Sequence, residues 1–290
     1  MKLTGRREST NVEDRRGRRA SGGLLAGGGI GAVIIGVLFA LFSGGDPTAA
    51  LQQIDLSQLG SPTQEVNPQQ FTEEEQQLAK FSKQVLASTE DVWEKEFKKR
   101  GLTYTPPKLV LFTGSVQSAC GGATAAVGPF YCSGDECLYI DLSFFSQMKQ
   151  QLGADGDFAY AYVIAHEVGH HVEHLLGTLS EKHADMQRMN KVEANKVSVR
   201  IELQADFYAG VWGHHEQSLH NSLEEGDLEE AIDCAHKIGD NYLQQKAQGR
   251  VQPESFTHGT SAQRMKWLKL GLQTGNMDLG DTYSKSDAEL

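Results

Sequence analysis

The chain has 290 residues, 39% of them hydrophobic, which is enough to bury a core and excludes wholesale disorder. Its formal net charge is −11, unevenly spread: seven basic against three acidic residues give residues 1–20 a charge of +4 and leave −15 on the rest. An acidic body of this kind excludes nucleic acid as a partner, because phosphate binding needs clustered Lys and Arg.

The leader, residues 1–20, carries Lys2, Arg6, Arg7, Arg15, Arg16, Arg18 and Arg19 and reads as a basic cytoplasmic tail. No residue from Ser21 to Gly45 is charged, and residues 21–43 are long enough to cross a bilayer, which takes about 20 apolar residues as helix. Arginines directly before such a run place the N-terminus in the cytoplasm and everything after it in the periplasm or outside the cell. The expectation is a single-pass inner-membrane protein with a retained transmembrane helix. The run is longer than the core of a usual signal peptide, and no Ala-x-Ala site follows. Residues 44–70 bring Pro47, Pro62 and Pro68 among Gln, Ser, Thr and Gly, the composition of a flexible stalk.

Order is expected from residue 71 to 290. Thr72 to Glu75 forms a capping box, and Leu78, Phe81, Val85, Val92 and Phe97 follow at helical spacing up to Gly101. Lys108–Phe112 and Cys137–Asp141 read as strands, with a glycine-rich loop from Gly114 to Gly128 between them. Helical patterns dominate after that, and the polar, acidic end from Asn276 to Leu290 is expected to fray. Trp93, Trp212 and Trp267 fall on apolar helical faces and are assigned to the core. The four cysteines, Cys120, Cys132, Cys137 and Cys234, suit one or two disulfides in an exported domain better than a structural zinc site. Their pairing stays open at this level.

From Phe158 to Leu176 apolar residues recur at 158, 161, 165, 168, 172 and 175, the pattern of one buried helical face, which Gly177 can end. His166-Glu167-Val168-Gly169-His170 therefore lies on a helix. His166 and His170 stand one turn apart on one face and can converge on a single Zn²⁺. Glu167 is rotated away from them, placed to take a proton from a zinc-bound water as that water attacks a carbonyl. Glu173 and Leu176 occupy the positions where one zincin class carries a glycine and a third histidine, so that class is excluded. The third ligand is then sought on the next long helical stretch. There Glu202 and Asp206 share a face, Glu202 to ligate and Asp206 to accept the free N–H of a ligand histidine. Glu193 has no Asp four residues on, and His171 and His174 are read as flanking residues.

With these motifs in hand, the chain resembles the neutral zinc metallopeptidase family of membrane-anchored bacterial proteins (YpfJ-like) along nearly its whole length. The matching segments are Ala119-Cys120-Gly121, Gly128 to Cys132, Tyr139 to Phe145, His166 to His171, Glu202 to Trp212, and His258 to Arg264. The resemblance implies a zincin catalytic domain with one zinc ion, His166, His170 and Glu202 as ligands, Glu167 as base, and a peptide or protein substrate. Cys120 and Cys132 fall in the matched segments and are the disulfide candidates; Cys137 and Cys234 are not family features.

His258 precedes a second capping box, Thr260 to Gln263, and is a candidate donor to the oxyanion, with Arg264 beside it. By analogy with zincin folds, the strand at Leu138–Asp141 is expected to be a sheet edge that takes up extended peptide. The expected fold is α+β: a mostly helical zincin-like domain with a small sheet packed on the motif helix, preceded by one transmembrane helix. The expected function is a zinc-dependent endopeptidase. The alternative is a catalytically silent scaffold that binds peptide or assembles at the membrane.

Overall fold

Thr72 opens the first long helix as the sequence predicts: its hydroxyl accepts from the Glu75 N–H, and Glu75 reaches back to the Thr72 N–H. The computed structural model describes residues 1–17 and 71–290. Helix α1 spans Glu73–Lys99, and the chain then enters a sheet region of β2 (Lys108–Phe112), β3 (Ser115–Ser118), β4 (Gly121–Thr124), β5 (Phe130–Cys132) and β6 (Cys137–Asp141). After the short α2 (Ser143–Gln147) come α3 (Asp157–Leu175), α4 (Thr178–Met186), α5 (Lys191–His220), α6 (Asp227–Lys237), α7 (Asp240–Gln248) and α8 (Ser261–Thr274). The described residues are thus mostly helical with small sheets, an α+β arrangement.

The leader differs from its sequence reading. Val12–Asp14 form β1, which pairs parallel with β2, so the main sheet runs β1-β2-β6-β5. Met1 and Leu3 are buried in the main core. The described leader arginines pair within the fold: Arg6 with Glu216 on α5 at 2.7 Å, and Arg7 with Glu90 and Asp91 on α1 at 2.8 and 2.7 Å. Buried Arg16 clamps Asp14 at 2.6 Å and donates to the Glu75 carbonyl. Residues 1–17 therefore belong to the same body as residues 71–290. The expected transmembrane anchor, 21–43, and stalk, 44–70, lie outside the described residues. Among the described residues no helix is long and apolar enough to cross a membrane.

β2 and β6 pair parallel, from Lys108 opposite Cys137 to Phe112 opposite Asp141, and β5 pairs antiparallel with β6. β6 is therefore interior and buried along its length, and the edges are β1 and β5. The glycine-rich loop contains the hairpin β3–β4. The C-terminal segment does not fray: Arg200 on α5 bonds the Thr282 and Lys285 carbonyls and the Asp287 carboxylate, and Met277, Thr282 and Leu290 are buried.

Helices α3, α5 and α8 form the heart of the molecule, and glycines decide how closely they meet. A Cβ at Gly169 would lie 2.8 Å from the Ala205 carbonyl oxygen, so this glycine inside the motif lets the backbones of α3 and α5 touch. Gly210 and Gly271 play the same part between α5 and α8, where either Cβ would strike the partner backbone. All three tryptophans are buried, as expected.

Candidate metal and catalytic site

The contact at Gly169 lays the Glu202 turn of α5 beside the histidine face of α3. His166 Nε2 lies 3.1 Å from Glu202 Oε2, and His170 Nε2 lies 3.6 Å from Glu202 Oε1. One ligand atom from each residue falls within 4.8 Å of the others, so the three side chains could hold a metal ion. A tetrahedral ion with bonds of roughly 2.0–2.1 Å has ligand–ligand edges of about 3.4 Å, which lies between the two distances above.

The other ring nitrogens are already engaged. His166 Nδ1 lies 2.8 Å from Asp206 Oδ1, and His170 Nδ1 lies 2.8 Å from Glu173 Oε2. With each Nδ1 held by a carboxyl group, each ring is oriented so that its Nε2 faces Glu202. Asp206 is fully buried and anchors a network. It accepts from the Tyr162 hydroxyl at 2.6 Å, from Arg264 Nε at 2.8 Å and from Arg264 Nη2 at 2.9 Å. Burial pushes the Asp206 carboxyl up, but Arg264 and His166 outweigh it and hold it down at about 2. Burial likewise opposes charge on His166, yet Asp206 and Glu202 push it up to about 10, the mark of a site shaped for positive charge.

Glu167 is buried on the adjacent face and lines the same cavity, and desolvation raises its pKa. Burial also raises the Glu173 carboxyl, to about 7, despite the neighbouring His170. His171 is a structural residue, as expected. Its Nε2–H donates to the Thr105 carbonyl at 2.7 Å and its Nδ1 accepts from the Tyr131 hydroxyl at 2.9 Å, so both nitrogens are consumed. His174 faces Glu136 at 3.5 Å and packs against the Tyr131 and His171 rings. Glu193 lies exposed in the first turn of α5, away from the triad.

His258 enters the cavity from the loop before α8, held by Asp240, whose carboxylate accepts from the His258 N–H at 2.7 Å and lies 3.2 Å from its Nδ1. Desolvation pulls the His258 imidazole down, but the neighbouring carboxylates of Glu202 and Asp240 outweigh it and push it up to about 9. Arg264 also lines the cavity, with its guanidinium committed to Asp206. Glu173, Tyr162 and Asp240 were not picked out from the sequence. Glu173 follows His170 by three residues and Tyr162 precedes His166 by four, spacings that mark them as helical neighbours.

The Cys120–Cys132 disulfide is present and ties the β3–β4 hairpin to the edge strand, while Cys137 and Cys234 are free and buried. The edge strand itself corrects an expectation. Leu138–Asp141 lies in β6; β2 pairs with this strand along its whole length and β5 pairs with Cys137–Tyr139 on its other side, and Phe130 and Tyr131 of β5 border the cavity instead.

A family profile described as "Putative neutral zinc metallopeptidase" matches residues 1–283. An Escherichia coli K12 relative, named as uncharacterized protein YpfJ, is 49% identical over 295 residues, covering 99% of this chain and all of that protein. An uncharacterized protein of Mycobacterium tuberculosis H37Rv is 42% identical over 194 residues, covering 63% of this chain and 64% of its own. No solved structure matches the chain.

Proposed function

The chain belongs to the neutral zinc metallopeptidase family, and on that premise we propose that it is a zinc-dependent endopeptidase, with His166, His170 and Glu202 as ligands and Glu167 as general base. One observation carries the reading: three ligand atoms from two helices converge while both histidine Nδ1 atoms are held by carboxylates. Two imidazoles and one carboxylate suit zinc, and three protein ligands are the number a catalytic ion uses. Bound there, zinc would supply Lewis-acid polarisation of the substrate carbonyl and acidify a water.

The chain's own residues supply the rest. Glu167, destabilised as an anion by burial, takes the proton of the attacking water and delivers it to the leaving amine. His258 donates to the oxygen of the attacked carbonyl as charge builds there, and Asp240 orients its ring. Asp206 and Glu173 fix the ligand rings. The free side of β5 offers backbone groups along which an extended peptide can lie.

The test is casein hydrolysis by the zinc-loaded full chain beside Glu167→Gln. Loss of the base lowers the rate by about 10²- to 10⁴-fold. Equal rates would remove Glu167 from the chemistry, and zinc retention without any cleavage by the wild type would favour a scaffold.

A further inference from the structure

Beyond the catalytic groups, the cavity has a second character. It encloses about 400 Å³, in the range of ligand-binding pockets. Its wall away from the triad is apolar: Val163, Phe144, Ile238 and Leu243 line it, with Pro129 and Phe130 on the edge-strand side. Val163 precedes Glu167 by four residues on α3, one turn away on the same face, so this wall begins directly beside the proposed base. Phe130, Phe144, Ile238 and Leu243 are only half-buried, although the first three pack against the core. Their surface is completed when something apolar enters.

The polar groups of this wall are occupied. Gln244 donates to the Ser255 hydroxyl at 2.9 Å, and its carbonyl oxygen accepts from the Gln252 N–H at 2.8 Å. Of the cationic groups lining the cavity, only the second ring nitrogen of His258 is uncommitted, and it is the one assigned to the attacked carbonyl. Arg264 is spent on Asp206, and the His258 Nδ1 faces Asp240 and Thr257. Among the described residues, no guanidinium or ammonium lining the cavity is left for an acidic side chain or for the terminal carboxylate of a peptide end.

We propose that this wall, from Val163 to Leu243, is a specificity subsite for one large apolar side chain, of leucine or phenylalanine size, adjoining the scissile bond of an internal peptide segment. The proposal rests on the peptidase reading and adds the substrate class to it. Burying such a side chain in place of alanine favours the substrate by at least about tenfold in kcat/KM.

The experiment uses the zinc-loaded full chain and a matched set of internally quenched peptides, blocked at both ends, that carry Leu, Phe, Ala, Asp or Lys beside the cleavage point. Leu and Phe should exceed Ala by about tenfold or more, with Asp poorest. Leu243→Asp should erase the apolar preference and raise Lys. Phe144→Ala is a second variant of the same wall, and thermal melting checks that both are folded. Affinity of the same peptides for Glu167→Ala protein, read by fluorescence anisotropy, separates the two claims. Apolar preference in binding without cleavage by the wild type keeps the subsite and overturns the peptidase reading. Cleavage or binding that ignores the side chain, or no binding at all, overturns the subsite.

Discussion

Asp206→Ala separates what this carboxylate does for the fold from what it does for the metal. The side chain is fully buried and holds Arg264, itself only 3% exposed, through two nitrogens at 2.8 and 2.9 Å, besides Tyr162 and His166. Removing it strands a buried guanidinium, which costs about 3–5 kcal/mol. It also frees the His166 ring, which weakens zinc binding by about 10- to 100-fold, as loss of an outer carboxylate partner does. The double variant Asp206→Ala/Arg264→Met removes both charges. It should recover most of the lost stability, because a buried pair is replaced by apolar volume, yet recover none of the metal affinity. Urea unfolding of the chelator-stripped protein gives the first quantity, and competition against a fluorescent zinc chelator gives the second. A single variant that loses under about 1 kcal/mol would show that Arg264 does not depend on Asp206. Metal affinity that returns in the double variant would show that Asp206 acts through packing and not through the His166 ring.

Gly169→Ala should destabilise by about 1–3 kcal/mol, because the new Cβ meets Ala205 backbone at 2.8 Å and neither helix can yield without moving the site; thermal melting and zinc affinity should fall together. Thiol counting should find no reactive cysteine in the native protein, since Cys137 and Cys234 are buried and burial raises the Cys234 thiol to about 12. Denaturation should expose those two, and reduction should release Cys120 and Cys132; a different order would contradict the disulfide. Residues 1–17 and 71–290 share one body, so reporters fused at Met1 and at Leu290 should report the same compartment. Opposite compartments, as the positive-inside reading of the leader requires, would mean that β1 does not pair with β2.

Local signals were readable in the sequence and long-range ones were not. The capping box at Thr72, the strands Lys108–Phe112 and Cys137–Asp141, and the apolar stripe of α3 each rest on residues within one element. Glu202 and Asp206 could be picked out together because they stand one turn apart on one face of α5. β1 was invisible, since Val12-Glu13-Asp14 has no strand pattern and gains its place only from β2, more than 90 residues later in the chain. The leader arginines have the same charge whether they flank a membrane or pair with Glu216, Glu90 and Asp91, and sequence does not say which. The edge strand was misassigned for a related reason: Cys137–Asp141 and Phe130–Cys132 are both short, and only pairing order reveals which one is covered.

The most direct measurement is the zinc content of the full chain beside its His170→Ala and Glu202→Ala variants, by elemental analysis after gel filtration. Convergence of these side chains with His166 on one point requires about one zinc per wild-type chain and close to none in either variant. A wild type without stoichiometric metal, or a Glu202→Ala variant that keeps all of it, would contradict the two-helix zinc site.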